Sequence, residues 1–85
     1  MNNPAYPGWT HTSIGYDEAV LYQDGHPVPC YAVVISAAAA RVIFDTGRDS
    51  EEIEIFTSPS QRHNVAAALE VATMRNAKYR PEATR

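Results

Sequence analysis

The stretch SIGYDEAVLYQDGHPVPCYAVVIS, residues 13–36, decides the fold of this chain. Its Asp24-Gly25 dipeptide separates residues 13–23 from residues 28–36, and both runs are rich in β-branched and aromatic side chains. Asp-Gly between such runs is a strong signal for a two-residue hairpin turn. The stretch therefore predicts an antiparallel β-hairpin with apolar side chains on both faces.

The two-residue turn would place Gln23 opposite His26 and would assign every residue of the hairpin to a face. One face would be bulky and rich in tyrosine, and we expect a helix to cover it. The other face would carry smaller apolar side chains and would need a different cover. We predict that this second face binds a partner through Ala19, Leu21, Val28, Cys30, Ala32 and Val34.

Length and composition predict one small globular domain. The chain has 85 residues, of which 45% are hydrophobic and 20% are charged, as is usual for folded domains. A net charge of −3 gives no electrostatic attraction to nucleic acid or to anionic lipid. The single cysteine cannot form an intramolecular disulfide, and the N-terminus lacks signal-peptide features, so we expect a cytoplasmic protein without a membrane span.

Prolines divide the chain into three predicted regions. Residues 1–12 contain Pro4 and Pro7, which lack N–H donors, and we expect an extended N-terminal arm. Residues 13–80 should form a single α+β domain. Residues 81–85 should fray, because Pro81 ends any preceding helix.

Two further strands are predicted after the hairpin. The four alanines at residues 37–40 should form a turn or a short helical bend. Residues 41–44 and 52–56 contain the apolar and β-branched residues of strands, with Glu54 facing outward. The inward-facing residues of this pair should be Val42, Phe44, Ile53 and Ile55.

The run Ser58-Pro59-Ser60-Gln61 predicts the start of a helix that extends to about Tyr79. Ser58 can cap the helix and Pro59 suits its first position. The inward face would consist of small residues, which allow close approach to a sheet. This face contains Val65, Ala68, Leu69 and Ala72. The predicted fold is thus α+β: an antiparallel sheet of about four strands in ββββα order, with the helix packed on one face.

Residues 42–47, Val-Ile-Phe-Asp-Thr-Gly, resemble the apolar-Asp-Thr-Gly signature of the retroviral-type aspartic proteases. The resemblance covers these residues alone and implies that Asp45 would meet its copy across a dimer and activate water. The second apolar-apolar-Gly segment of that family has no counterpart, since no glycine follows Gly47. Asp and Gly also suit a strand-ending turn, which is the interpretation that we favour.

Cys30 paired with a histidine such as His63 is the other candidate for catalysis. Free cysteine in a strand is most often a small apolar residue. His26 and Cys30 would be about 13 Å apart on an extended strand, too far to share one metal ion. We therefore predict no catalytic residue, no metal site and no cofactor.

Charged residues cluster in two places. Four of the seven positive charges lie at Arg75, Lys78, Arg80 and Arg85, where they complement the helix dipole and could also bind phosphate. Acidic residues concentrate between positions 45 and 54, where they could contact a basic partner or keep a strand edge solvated. The secondary acidic contact consists of Asp49, Glu51, Glu52 and Glu54.

Together these features predict a non-enzymatic protein-protein interaction module. We expect a homodimer, with a further protein partner whose surface the module could occupy as an accessory or inhibitory protein. A small enzyme that uses Asp45, or Cys30 with a histidine, is the first alternative. A nucleic-acid binder that uses the basic helix end is the second.

Overall fold

The computed structural model describes residues 6–13, 15, 18–25, 30–36, 38–45 and 47–79, with the backbone alone at Cys30 and Ala32. These residues form five strands and one helix: β1 (Trp9–Ser13), β2 (Ala19–Gln23), β3 (Cys30–Ile35), β4 (Ala40–Asp45), β5 (Ser50–Phe56) and α1 (Gln61–Lys78). The described strands make an antiparallel sheet in chain order, with β1 and β5 at its edges. The predicted α+β class and the C-terminal helix are confirmed.

The core lies between α1 and one side of the sheet. Leu21, Val33 and Val42 on three adjacent strands are fully buried, and they form its floor. The predicted inward face of α1 is confirmed, since Ala68 and Ala72 are also fully buried and small side chains let a helix approach a sheet closely. The buried core cluster consists of Trp9, Leu21, Val33, Ala40, Val42, Val65, Ala68 and Ala72.

The register of the β2–β3 hairpin differs from the predicted one. Leu21 pairs with Val33, whereas the two-residue turn would have paired it with Val28, which is five positions earlier. Because five is odd, β2 presents the opposite set of side chains to the face that it shares with β3. Pro27 and Pro29 lie outside the described residues, but neither can donate an N–H to a ladder, and β3 begins at Cys30.

This shift corrects the predicted tyrosine-rich face. Tyr31 packs toward the core, as expected, and its ring centroid lies 4.8 Å from that of Phe44. Tyr22 lies on the opposite side of the sheet, because Leu21 beside it points into the core. The helix therefore covers a face that combines the expected side of β3 with the other side of β2.

Part of the predicted arm forms the edge strand β1. Trp9 is buried, and the strand pairs with β2 from Trp9↔Gln23 to Ser13↔Ala19. Asp24 joins this pairing: its N–H donates to the carbonyl of Gly8 at 2.9 Å, and its carboxylate accepts from Thr10 Oγ1 at 2.5 Å. Asp24 thus ties the end of β2 back to β1, which is a different role from the predicted tight turn.

The β4–β5 pair contains a register shift between Val42 and Ile43. Val42 pairs with Glu54 and Arg41 pairs with Ile55. The prediction that Ile55 faces inward is therefore wrong, and its side chain is 45% exposed. A bulge moves the residues beyond it to the other face, and a simple alternation pattern cannot show this.

Hydrogen bonds define the connection between β3 and β4 and the start of α1. The Ser36 N–H donates to the carbonyl of Ala39 at 2.9 Å, and this bond closes the connection between β3 and β4. At the start of α1, Ser60 Oγ accepts from the His63 N–H at 3.2 Å. The helix cap is therefore Ser60, whereas Ser58 was predicted. The helix ends close to the predicted position, with Tyr79 as its extended C-cap.

Asn64 near the start of α1 and Asn76 near its end are buried polar residues, 1% and 3% exposed. The Asn64 side chain bonds Ser58 through the Ser58 N–H at 2.8 Å and the Ser58 carbonyl at 2.9 Å. It thereby fixes the chain that enters the helix. Each amide has the partners that a buried polar group requires.

Asn76 connects the helix end to the place where β2 and β3 separate. The β2–β3 ladder ends at Tyr22↔Ala32, and Asn76 Oδ1 accepts the next backbone N–H, that of Tyr31, at 3.0 Å. Asn76 Nδ2 donates to Gln23 Oε1 at 2.6 Å. One side chain therefore satisfies groups from both strands and sets the position of α1 along the sheet.

We predict that Asn76→Ala lowers the free energy of unfolding by about 1–3 kcal/mol, because it leaves the Tyr31 N–H without its acceptor. Thr73→Ala is the matched control, since Thr73 is exposed on the same helix and should change stability by no more than about 0.5 kcal/mol. Urea unfolding followed by circular dichroism measures both. Equal stability of the two variants would contradict the assigned role of Asn76.

Candidate functional site

The side of the sheet that faces away from α1 is the main candidate for a functional surface. Leu21, Val33 and Val42 point toward the helix, so their neighbours in sequence point the other way. No element of the described chain packs on this side. We define the outer face as Val20, Tyr22, Val34, Arg41, Ile43, Glu52 and Ile55.

The outer face is predominantly apolar, and its residues lie in register across four strands. Val34 pairs with Val20 on one side and with Arg41 on the other. Tyr22 is 37% exposed and Ile55 is 45% exposed, whereas Val34 and Ile43 are half-buried and Val20 is buried. Exposed apolar side chains that form a continuous patch are typical of protein contact sites.

Arg41 and Glu52 add one charge of each sign to this face. Arg41 Nε lies 3.5 Å from Glu52 Oε1, and both side chains are partly exposed. Arg41 Nε is itself buried and makes no hydrogen bond within the described chain, so the contact is an ion pair without hydrogen-bond geometry. Such partly exposed pairs contribute about 0–1 kcal/mol to stability. The charges therefore remain available to a partner.

The residues predicted as the interaction face do not form one surface. Leu21 is fully buried in the core on the helix side of the sheet, and Ala19 is half-buried on the same side of β2. Val34 lies on the outer face. The register shift of the hairpin causes this division. Outside the described parts of the chain lie Val28 and the side chains of Cys30 and Ala32.

Sequence reasoning did not select Tyr22, Ile43 or Ile55 for the outer face. Ile43 could have been found, because it alternates with Val42 and Phe44 along a short strand. Ile55 could not, since a bulge determines which way it points. The predicted register of the β2–β3 hairpin, which is wrong, places Tyr22 on the helix side.

The acidic residues lie on or beside the edge strand β5. Asp49, Glu51, Glu52 and Glu54 are all exposed. Glu54 lines a groove of about 400 Å³ together with Arg75 and Lys78. The acidic strand and the basic helix end are therefore neighbours, and an adjacent carboxylate makes the two cations a poorer phosphate site. Arg80 and Arg85 lie outside the described residues.

Asp45 has a structural role at the end of β4. Its Oδ1 accepts a hydrogen bond from the Gly47 N–H at 2.8 Å. Gly47 has a φ of 88°, which favours glycine. Asp45 therefore stabilises the chain just after β4 through Gly47, as Asp does at the end of a strand.

Cys30 and His63 lie at opposite ends of the fold. The backbone of Tyr31, next to Cys30, is bonded to Asn76, which is 13 residues from His63 in the same helix. This separation corresponds to about 20 Å. His26 lies outside the described residues, and in the described parts of the chain no cluster of His, Cys, Asp and Glu could hold a metal ion.

Comparisons with known proteins assign no family to this chain. No family model matches it, and neither the curated proteins nor the solved structures contain a match. Within the described residues, no helix combines the length and the apolarity that crossing a bilayer requires. The function of the outer face therefore has to be inferred from its own residues.

We predict that Asp45→Ala lowers the free energy of unfolding by about 0.5–1.5 kcal/mol, because the Gly47 N–H loses its acceptor. Asp45→Asn keeps a side-chain oxygen at that position and should cost less than about 0.5 kcal/mol. Thermal unfolding of the three proteins measures the difference. An Asn variant as unstable as the Ala variant would show that the carboxylate charge matters more than the turn.

Proposed function

We propose that this protein is a non-enzymatic interaction module that binds a second copy of itself through the outer face. The observation that supports this proposal is the contrast between the two sides of the sheet. One side is filled by α1 and buries Leu21, Val33 and Val42 completely. The other presents Tyr22 and Ile55 in part to solvent, with no described element to cover them.

A second copy fits the mixed charge of the outer face. In a two-fold dimer each surface meets itself, so a face that binds its own copy must be self-complementary. The outer face carries Arg41 and Glu52 around its apolar residues, and a copy rotated by 180° can place each charge near its opposite. A strongly basic or strongly acidic partner would match one of these charges and oppose the other.

The acidic residues of β5 favour association through the outer face, because they oppose association through the β5 edge of the sheet. Glu51, Glu52 and Glu54 lie on β5, an edge of the described sheet. Two such strands side by side would bring like charges together, and charged edge strands are a common protection against sheet extension. Tyr22, by contrast, is an aromatic side chain of the kind that dominates interface energetics.

The size of the outer face predicts a weak dimer. The four strands of the outer face, spaced by about 4.8 Å and about 20 Å long, give a surface of about 400 Å² on each copy. The sum for two copies is about 800 Å², which is in the range of weak, transient contacts. The dimer should therefore dissociate on dilution.

We predict that the mass in solution rises from 9.4 kDa toward twice that value as the concentration increases. Size-exclusion chromatography with light scattering at two concentrations measures this. Val34→Lys and Ile55→Lys should each weaken the dimer at least about tenfold, because a charge would be buried without a partner. Thr73→Lys, which adds the same charge on the exposed side of α1, should dimerise like the wild type.

Circular dichroism verifies that the variants remain folded. Ile55 is exposed enough in the monomer to accept a lysine without disturbing the core. A lysine at the fully buried Leu21 should instead unfold the protein, so that position cannot serve as an interface probe. A wild-type monomer at both concentrations, or a dimer that withstands both lysine substitutions, would refute self-association through the outer face.

A further inference from the structure

A groove of about 550 Å³ lies on the helix side of the sheet, away from the outer face. It lies between the N-terminal half of α1 and Tyr6, with Ile35 at the end of β3 also lining it. Ala66 and Leu69 line it from the helix. The Tyr6 ring stacks near His11, with centroids 6.5 Å apart and planes at 11°. The walls of the groove are therefore mainly apolar, and the small Ala66 side chain leaves space within the groove.

The polar end of this groove carries Gln61 and Arg62. The Gln61 amide already has hydrogen-bond partners within the chain. Its Nε2 donates to the carbonyls of Ser36 and Ala39, and its Oε1 accepts from Asn64. Arg62 is exposed, and the first turn of α1 contains no acidic residue. No ion pair joins Arg62 to a carboxylate of the described chain. Among the residues that line the groove, Arg62 is the charged one.

We propose that this groove binds a small carboxylate with an apolar body, such as a medium-chain acyl carboxylate. Its volume falls within the range of about 300–1,000 Å³ that is usual for small-molecule sites. The apolar body would occupy the space beside Ala66, Leu69 and Ile35. The carboxylate would accept hydrogen bonds from Arg62, whose planar guanidinium matches carboxylate geometry. Residues 62, 66 and 69 share one side of the helix, so head and body can be bound together.

The test is a titration of the full chain with octanoate and with octan-1-ol, followed by the shifts of backbone amide resonances in NMR spectra. The two probes have the same chain length but differ in charge. Octanoate should shift the resonances of Ala66, Leu69 and Ile35 and should bind at least about fivefold more tightly than octan-1-ol. Equal affinity of the two probes, or no shift with octanoate, would overturn the proposal.

Arg62→Gln tests the head-group contact. It should reduce the affinity for octanoate about fivefold, to the level of octan-1-ol, and should leave the affinity for octan-1-ol unchanged. Arg75→Gln is the matched control, because it removes the same charge from the same helix outside this groove. An equal loss in the two variants would show that only net charge matters and would overturn the role of Arg62.

Ala66→Phe tests the body of the site, since it fills the groove from an exposed helix position. It should weaken octanoate binding at least about tenfold, whereas Ala77→Phe, at another exposed position of α1, should not. Undiminished binding by the Ala66 variant would place octanoate elsewhere. The outer-face variant Ile55→Lys should bind octanoate normally, which separates this site from the proposed dimer contact.

Discussion

One helix can cover only part of a five-stranded sheet, and this constraint shapes the described structure. A helix with side chains is about 10 Å across, whereas five strands extend over about 24 Å. The helix α1 contacts β3, β4 and β5. On its own side it leaves a strip over β1 and β2, where Trp9 and Tyr6 pack against the core. On the opposite side the sheet has no described cover. The helix-side groove and the outer face are both consequences of this geometry.

The small inward residues of α1 determine how closely the helix packs on the sheet, and the buried asparagines determine its position along the sheet. Ala68 and Ala72 allow close packing but provide little shape that would resist sliding along the sheet. Asn64 and Asn76 supply the missing specificity, because each bonds particular backbone groups at one end of the helix. A displaced helix would leave these buried polar groups without partners, at a cost of about 1–3 kcal/mol for each group.

Prediction from the sequence succeeded where one local pattern decides the structure. The small helix face, the helix end near Tyr79 and the strand character of residues 41–44 and 52–56 depend on neighbouring residues in the chain. Prediction failed where the local sequence permits more than one structure. The Asp24-Gly25 pair permits a tight hairpin, but Asp24 bonds β1 instead. Both Ser58 and Ser60 can cap a helix, and bonding of Ser58 to Asn64 leaves the cap to Ser60.

The amino-acid sequence by itself determined the α+β class, the order of sheet and helix, and the existence of more apolar sheet surface than one helix can bury. These properties follow from composition and periodicity, which each segment carries locally. Tertiary structure alone decided which residues form the free surface. The register between β2 and β3 and the bulge in β5 assign side chains to faces, and both are set by pairing with other strands. A shift by an odd number of residues exchanges the two faces of a strand, so a small difference in pairing changes the whole candidate site.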